Sequence, residues 1–576
     1  MRLIILLIFI LAPFCGSAQT NINIGDFGVI SGNDDATPGL QKALEACNQC
    51  EKPTLIFPKG VYHFYPDFGV DKYCFISNND EGLKRIIFPL FDFKDLTIDG
   101  QGSSFIFHGF VNPFVIDHSS NVTLRGFSID SHRSFHSEAI ILANRENGID
   151  VEIPESFPFE INNGILVFTD NPSEQESLTT NGDKVTYPYC TLLEFDTEKR
   201  EIAHLAKDHY VGDNPCVVES LGMRAVRIFN KELSGKPGNT LVFGANRNYP
   251  GFVVSDCSDI TFQEVTIYHC GGMGIIGQRT NNIKVDHCRV TPSPGRMISC
   301  VADATHFVNC TGKIELSYNL FENQFDDATN IHGIYVQIAR KISPNEVIVQ
   351  LKHKQQLGFD FLKEGLEIEF VKGLSLIPKG RSKVIEAERI NKSLTRVKFL
   401  TELPSEIEVG DVVAEVRDYP FIYIHDNIVR NNRSRGMLLN CRGKTIVENN
   451  YFHTPAAALL FEGDAQYWFE QGGVSDCIIR NNVFDNCLFP RSWGDAVIGV
   501  RAGIEEDFEE SRYNKNIRIT GNTFRIFDDA HLLDLYCVDR LIWKNNKVEK
   551  TDDYPKVRGK MDRFQVKYSN NIKIIE

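Results

Sequence analysis

The sequence predicts an all-β solenoid, a parallel β-helix, and three observations carry that expectation. A short motif recurs through the second half, in which apolar residues alternate and are followed by Asn, a spacer and a large apolar residue. One copy is Ile314-x-Leu316-x-x-Asn319-x-Phe321, and others centre on Asn427, Asn450, Asn482, Asn522 and Asn546. Alternation of period two marks strands with one buried face. The shortest intervals, Asn427 to Asn450 and Asn522 to Asn546, give a rung of roughly 23 residues, enough for three short strands and three turns. The recurrent Asn suits either a turn that needs φ > 0 or a side-chain ladder inside the coil. Leucine-rich repeats, the competing solenoid, differ in Leu spacing and Asn position.

The elements follow in order. Residues 1–18 read as a signal peptide: Met-Arg, an apolar run from Leu3 to Phe14, and small residues before a cut after Ala18. That run is too short for a mature anchor, and no later stretch is apolar enough to cross a membrane. The mature chain is expected to be soluble and exported, periplasmic or secreted. Residues 19–149 form an N-terminal cap and the first coils. They begin with Ile24-Gly-Asp-Phe-Gly28, a polar turn at Ser31–Asp35, an amphipathic helix near Thr37–Cys50, and a strand running from Thr54 through Pro58 to Tyr62. A helix here plugs the open end of a solenoid, where apolar surface is otherwise bare. The segment resembles the start of pectin-lyase-like right-handed β-helix proteins, which implies a right-handed parallel β-helix. Strands at Leu96–Ile98 and Val122–Leu124 are two early coils.

Residues 150–245 break the rhythm with Pro-rich and charged stretches, and read as an inserted or lateral β-module. Coils resume over 246–337, with Ile260–Phe262 and Ile283–Val285. Residues 338–416 break it again. Runs such as Val347–Leu351, Leu366–Phe370, Arg396–Phe399 and Val412–Val416 predict a small β-barrel threaded between two coils, positioned to shape a substrate cleft or a homodimer contact. Residues 417–576 complete the C-terminal coils.

A solenoid grows in one dimension, so 576 residues need no second core. The formal charge of −15, with no basic run, excludes nucleic acid and anionic membrane as partners and disfavours acidic polysaccharides. Fourteen cysteines remain after the signal peptide. Cys47-x-x-Cys50 lacks a second ligand pair, which argues against zinc. Cys270, Cys288 and Cys310 read as small buried residues stacked inside the coils.

Chemistry concentrates at three carboxylates. Asp303 lies in Val301-Ala-Asp303-Ala-Thr-His306, and Asp326 and Asp327 lie in Phe325-Asp-Asp327-Ala-Thr-Asn330-Ile-His332-Gly333. About 23 residues, one rung, separate Asp303 from Asp326, so one coil sets a carboxylate against a pair on the next. On a regular strand Asp326 and Asp327 point to opposite faces, and a buried unpaired carboxylate is costly, so a turn or bulge there is expected. Three carboxylates in one cleft push their pKa values apart, keeping one protonated as an acid and another ionised as a base. That is the apparatus of glycoside hydrolysis. Candidate substrate-binding residues are Arg296, His306, His332, Glu462 and Trp493.

These stretches resemble family 110 of the glycoside hydrolases, exo-acting α-1,3-galactosidases of gut and marine bacteria, and the resemblance runs along most of the mature chain. It implies that Asp303, Asp326 and Asp327 are the acidic residues of an inverting site. It further implies that no metal or other cofactor is needed and that the substrate is a glycan ending in α-1,3-linked galactose, as in blood-group B. Inversion predicts roughly 6.5–9.5 Å between acid and base. Two alternatives stand beside it. Polygalacturonases share the fold, but their Asn-Thr-Asp, Gly-His-Gly and Arg-Ile-Lys motifs are missing here; pectate lyases need a Ca²⁺ carboxylate cluster, which Asp326-Asp327 could serve, and a basic residue. A non-catalytic glycan-binding solenoid would rely on aromatic residues and tolerate loss of the carboxylates.

Overall fold

The computed structural model describes residues 20–170, 185–212, 214–490 and 493–576. The expected signal peptide lies outside them. The chain winds as a parallel β-helix of three faces. The first face carries, coil after coil, strands such as Ser258–Gln263, Asn281–Asp286, Thr311–Ser317, Phe421–His425 and Lys444–Glu448. The second carries the short strands Leu320–Glu322, Ile428–Arg430 and Tyr451–His453. The third carries Ile275–Gln278, Thr305–Val308, the start of Thr329–Ser343, Met437–Leu439 and Leu459–Phe461. Pairing between coils is parallel and in register, for example Ile283 with Ile314 and Ile314 with Ile422.

The alternating apolar residues point inward and stack on their equivalents one coil away. Phe88, Phe114 and Phe252 form one such column, with ring centroids 4.1 and 4.6 Å apart. Phe452, Phe484 and Phe524 form another, and Trp543 packs against its end from the first-face strand of the next coil. Trp543, one of the three tryptophans, is therefore core. The helix Thr37–Cys47 caps the N-terminal end and buries Leu40, Ala43, Leu44 and Cys47 on the same core. It stops three residues before the expected end, where Asn48 opens a turn. The fourteen cysteines of the described residues are free, and all but Cys50 and Cys190 are buried.

The recurrent Asn forms the ladder, and the turn requirement falls one residue earlier. Asn319, Asn427, Asn450, Asn482 and Asn522 each donate Nδ2–H to Oδ1 of the Asn one coil further on, ending at Asn546, at 2.9–3.0 Å. Each Oδ1 also accepts the backbone N–H of the preceding Asn, at 2.9 Å. The left-handed backbone belongs to the preceding residues Tyr318, Asp426, Asn449, Asn481, Gly521 and Asn545, with φ between 55° and 69°. Those turns need αL, which Asn and Gly adopt most cheaply.

Two modules interrupt the winding. The lateral module opens at Ser137, earlier than the boundary of residue 150 read from composition. Ser137–Arg145 pairs antiparallel with both Gly148–Glu152 and Thr240–Gly244 and so belongs to the lateral sheet. The second module is a closed antiparallel barrel. Its strands Thr329–Ser343, Glu346–Gln350, Leu394–Phe399, Pro378–Arg389, Glu367–Val371 and Val412–Glu415 pair in that order, and the last returns to the first. Thr329–Ser343 serves twice, pairing with coil strands at its start and with the barrel from Tyr335 onward. The barrel therefore grows directly out of a third-face strand.

Replacing Asn482 with Ala strands the backbone N–H of Asn450 inside the coil, while its Nδ2 keeps the Ile424 and Glu448 carbonyls. Such a group costs about 1–3 kcal/mol, so a destabilisation of about 2 kcal/mol is expected from chemical denaturation. A change below ~0.5 kcal/mol would show that the ladder holds little of the fold.

Candidate active site

The third-face strands set the site, because the residues just before them stack across coils. Thr305 pairs with Thr329 and Thr329 with Met437. Two residues upstream on each coil stand Asp303, Asp327 and Arg435. Asp303 is therefore stacked on Asp327, with Asp326 beside them, a shift of one residue from the spacing read in the sequence. Asp326 and Asp327 sit in an irregular bend and not on a strand, so both side chains can turn toward Asp303. One oxygen from each of the three lies within 4.8 Å of the others. That is closer than the separation expected for inversion, because neighbouring coils are held at the spacing of hydrogen-bonded strands, about 4.8 Å. All three carboxylates are at most 7% exposed.

Such burial needs compensating charge, and three arginines that sequence reasoning missed supply it. Arg435 grips Asp327 with a fork, Nε to Oδ1 at 2.9 Å and Nη2 to Oδ2 at 2.8 Å, and adds its backbone N–H at 3.2 Å. Arg247 donates to Asp326 Oδ2 at 2.7 Å. Arg433 lies 3.5 Å from Asp326 Oδ1 and is itself held by both oxygens of Asp208, at 2.8 and 2.9 Å, and by Tyr210 Oη. Asp208 and Tyr210 belong to the lateral module, so that module braces the site from one side. The signal for Arg433 and Arg435 was the basic run Arg433-Ser-Arg435 one coil after Asp326-Asp327, but the inserted barrel separates the two by more than a hundred residues. No local pattern pointed to Arg247.

The guanidinium groups divide the carboxylates. Arg247, Arg433 and Arg435 outweigh burial at Asp326 and hold it below the ordinary carboxylate value. At Asp303 burial and the charge of Asp326 win, and its carboxyl is pushed up to about 7. Asp327 is driven up by burial and by its two acidic neighbours and drawn down by Arg435. Both its oxygens already accept from the Arg435 fork, so the ion pair decides in favour of the carboxylate. A divalent cation would need oxygens that these arginines occupy, and would meet their repulsion.

The other sequence candidates fall in different places. His306 touches the triad, with Nδ1 2.7 Å from Asp303 Oδ2. His332 stands behind it, its Nε2 2.9 Å from His306 Nε2. Glu462 is half-buried and faces Arg435, whose charge it helps to stabilise. Two candidates are corrected. Arg296 is spent two coils back, donating to Asp130 Oδ1 at 2.5 Å and to the Ser131 carbonyl at 2.8 Å. A half-buried carboxylate needed a partner there, so Arg296 is structural. Trp493 is packed against the apolar cluster that contains Phe325, Phe489 and Phe527, where it fills a seam. Exposed aromatic residues stand instead at Tyr467 and Trp468, 67% and 40% exposed, with the His353 ring of the barrel module 4.7 Å from Trp468. Glu470, two residues on, lies 3.5 Å from His332, which ties this aromatic rim to the histidine behind the triad.

Known proteins share this architecture. Family models described as GLAA-B beta-barrel domain I and GLAA-B beta-barrel domain II match residues 137–241 and 346–413, the two inserted modules. The chain is 34% identical to Alpha-1,3-galactosidase A of Shewanella woodyi, over 96% of this chain and 90% of that protein. It is 31% identical to an Alpha-1,3-galactosidase B of Phocaeicola vulgatus, over 98% and 95%. Against Alpha-1,3-galactosidase B of Akkermansia muciniphila it is 32% identical, over 92% of this chain and 66% of that protein. With two inserted modules on one β-helix and relatives matched along nearly its whole length, the chain belongs to glycoside hydrolase family 110.

Proposed function

We propose that this protein is an exo-acting α-galactosidase that hydrolyses terminal α-1,3-linked galactose from glycans such as blood-group B structures, by single displacement with inversion. The observation that carries the reading is the buried cluster in which three carboxylates meet three guanidinium groups. Every guanidinium there is already matched by a carboxylate, so none is left to bind a uronate, and a neutral sugar suits the site. The lateral module reaches the cluster through Asp208 and Tyr210, and the barrel module sets His353 against the exposed Trp468. Modules inserted on either side of an open β-helix groove favour a chain end over the middle of a polymer.

Inversion has a specific support. Asp326 and Asp327 are neutralised by arginines, which weakens either as a nucleophile toward C1 while leaving it able to orient and deprotonate water. The crowding of the three, with one oxygen of each within 4.8 Å of the others, pulls the other way, toward the ~5–5.5 Å between carboxyl groups typical of retaining enzymes. Proton NMR of the first product decides. Early β-galactose from a fucosylated or linear Gal-α-1,3-Gal trisaccharide is the expected result, early α-galactose would leave a retaining galactosidase, and no release would sink the reading.

Asp326→Asn keeps the shape of the side chain and removes its charge. A fall in kcat of roughly 10²–10⁴-fold is expected, the usual worth of a general base. A folded variant with near-full activity would remove the basis of the proposal. Trp468→Ala should raise KM for the trisaccharide several-fold and change kcat less, because the rim binds sugar rings away from the reacting bond. A fall in kcat alone would count against a binding role.

A further inference from the structure

One outward-facing column of the third face runs the length of the coils, and its surroundings differ on the two sides of the triad. Its middle members, His306 and Asn330, are paired neighbours at the triad. Toward the N-terminus the column continues as Ile276, Val253 and Val115, which pack with Cys74 and Ile76 of the strand Val70–Ile76 in one buried apolar cluster. Gln278 fastens that strand down, its Oε1 accepting from the Ser77 N–H at 3.0 Å and its Nε2 donating to the Phe75 carbonyl at 2.8 Å. A glycan lying along the third face is blocked on that side. Toward the C-terminus the column continues as Leu438, Leu460 and Gly499 and then as Asp534 and Gln565. The last two line a cavity of about 610 Å³, together with Arg501, Tyr536 and the turn at Glu505.

The polar groups of this cavity are incompletely matched by the protein. Arg501 Nε is shut off from bulk water and has no hydrogen-bond partner among the described residues. Its Nη2 stands 3.7 Å from Asp534 Oδ2, beyond hydrogen-bond reach. Asp534 is only 9% exposed, and its other oxygen accepts from Gln565 Nε2 at 3.0 Å. A hydroxyl group is both donor and acceptor, so a hydroxyl at this gap donates to the carboxylate and accepts from the guanidinium. Gly499 keeps the approach clear: a Cβ there would stand 2.9 Å from Leu460 Cδ1 and 3.7 Å from Arg501 Nε. Tyr536 adds an aromatic wall, which suits the C–H face of a sugar ring. Asp495, Glu505 and Asp534 stand against Arg501 and Lys567, a balance that disfavours an anionic ligand.

We propose that this cavity is a distal sugar subsite, which takes an uncharged hexose or N-acetylhexosamine ring on the reducing side of the cleaved bond and holds its hydroxyls between Arg501 and Asp534. The inference rests on the galactosidase reading above. Thr329, just after Asp327, is stacked through Met437 and Leu459 to Ile498, and Ile498 to Leu533. Arg501 is thus three coils and Asp534 four coils beyond the triad, about 14 and 19 Å along the axis. A disaccharide with its terminal galactose at the triad stops short of the cavity, and a pentasaccharide reaches it.

The test measures kcat/KM on an α-1,3-galactosyl disaccharide and on a pentasaccharide with the same terminus and a neutral backbone of hexose and N-acetylhexosamine. The wild-type protein should favour the pentasaccharide by about tenfold, near the worth of a hydrogen bond to a charged group. Arg501→Ala should erase that preference by raising KM for the pentasaccharide with kcat kept, because the contact lies far from the reacting bond. Equal kcat/KM on the two lengths in the wild-type protein would overturn the subsite. So would an equal loss on both substrates in Arg501→Ala, the mark of a structural role. A sulfated or sialylated pentasaccharide preferred over the neutral one would overturn the uncharged class. Should the variant not fold, saturation-transfer NMR of the wild-type protein with the tetrasaccharide product serves: saturation of its reducing-end rings is expected, and its absence sinks the subsite. A wild-type protein that saturates those rings yet cleaves neither substrate would instead overturn the galactosidase reading.

Discussion

Parallel hydrogen bonding between successive coils sets nearly every other distance in this protein. It stacks each residue on its equivalent one coil away, at the spacing of paired strands. That constraint builds the aromatic columns of the core and the buried Asn ladder. It also forces Asp303 and Asp327 into the same column, where a compact globular fold would have let two like charges separate. The site's chemistry begins from that enforced crowding.

Crowded carboxylates survive burial only with matched cations. The protein provides them from two parts of the chain: Arg435 from the same column with Arg433 two residues before it, and Arg247 from just beyond the lateral module. The match is uneven by design of the backbone. Asp327 is fully engaged by a fork and Asp326 shares three guanidinium groups, whereas Asp303 faces a histidine. One column of stacked residues thus yields carboxyl groups with opposite proton preferences, which acid–base hydrolysis requires.

The inserted modules add what the solenoid lacks. A bare β-helix offers an open groove, suited to long polymers. Here the lateral module ties Asp208 and Tyr210 to Arg433, and the barrel sets His353 beside the exposed Trp468. Because the barrel continues the strand that carries Asn330 and His332, its position is coupled directly to the residues behind the triad.

The solenoid, its rung length, the two interruptions and the three carboxylates are all legible in the sequence. Those features are local or periodic: alternation needs only neighbours, and Asp303, Asp326 and Asp327 lie within about one rung of each other. Arg296 and Trp493 look like ligands in the same reading, since an Arg near an acidic motif and a scarce Trp carry no mark of which partner they meet. Packing in three dimensions gives Arg296 to Asp130 and sets Trp493 against the cluster around Phe489. It alone brought Arg433 and Arg435 onto the acidic pair across the inserted barrel, and Arg247 across the coils. The physical reason is register: which residues share a column depends on how many residues each loop and module consumes between coils, and that count is set by backbone pairing in three dimensions.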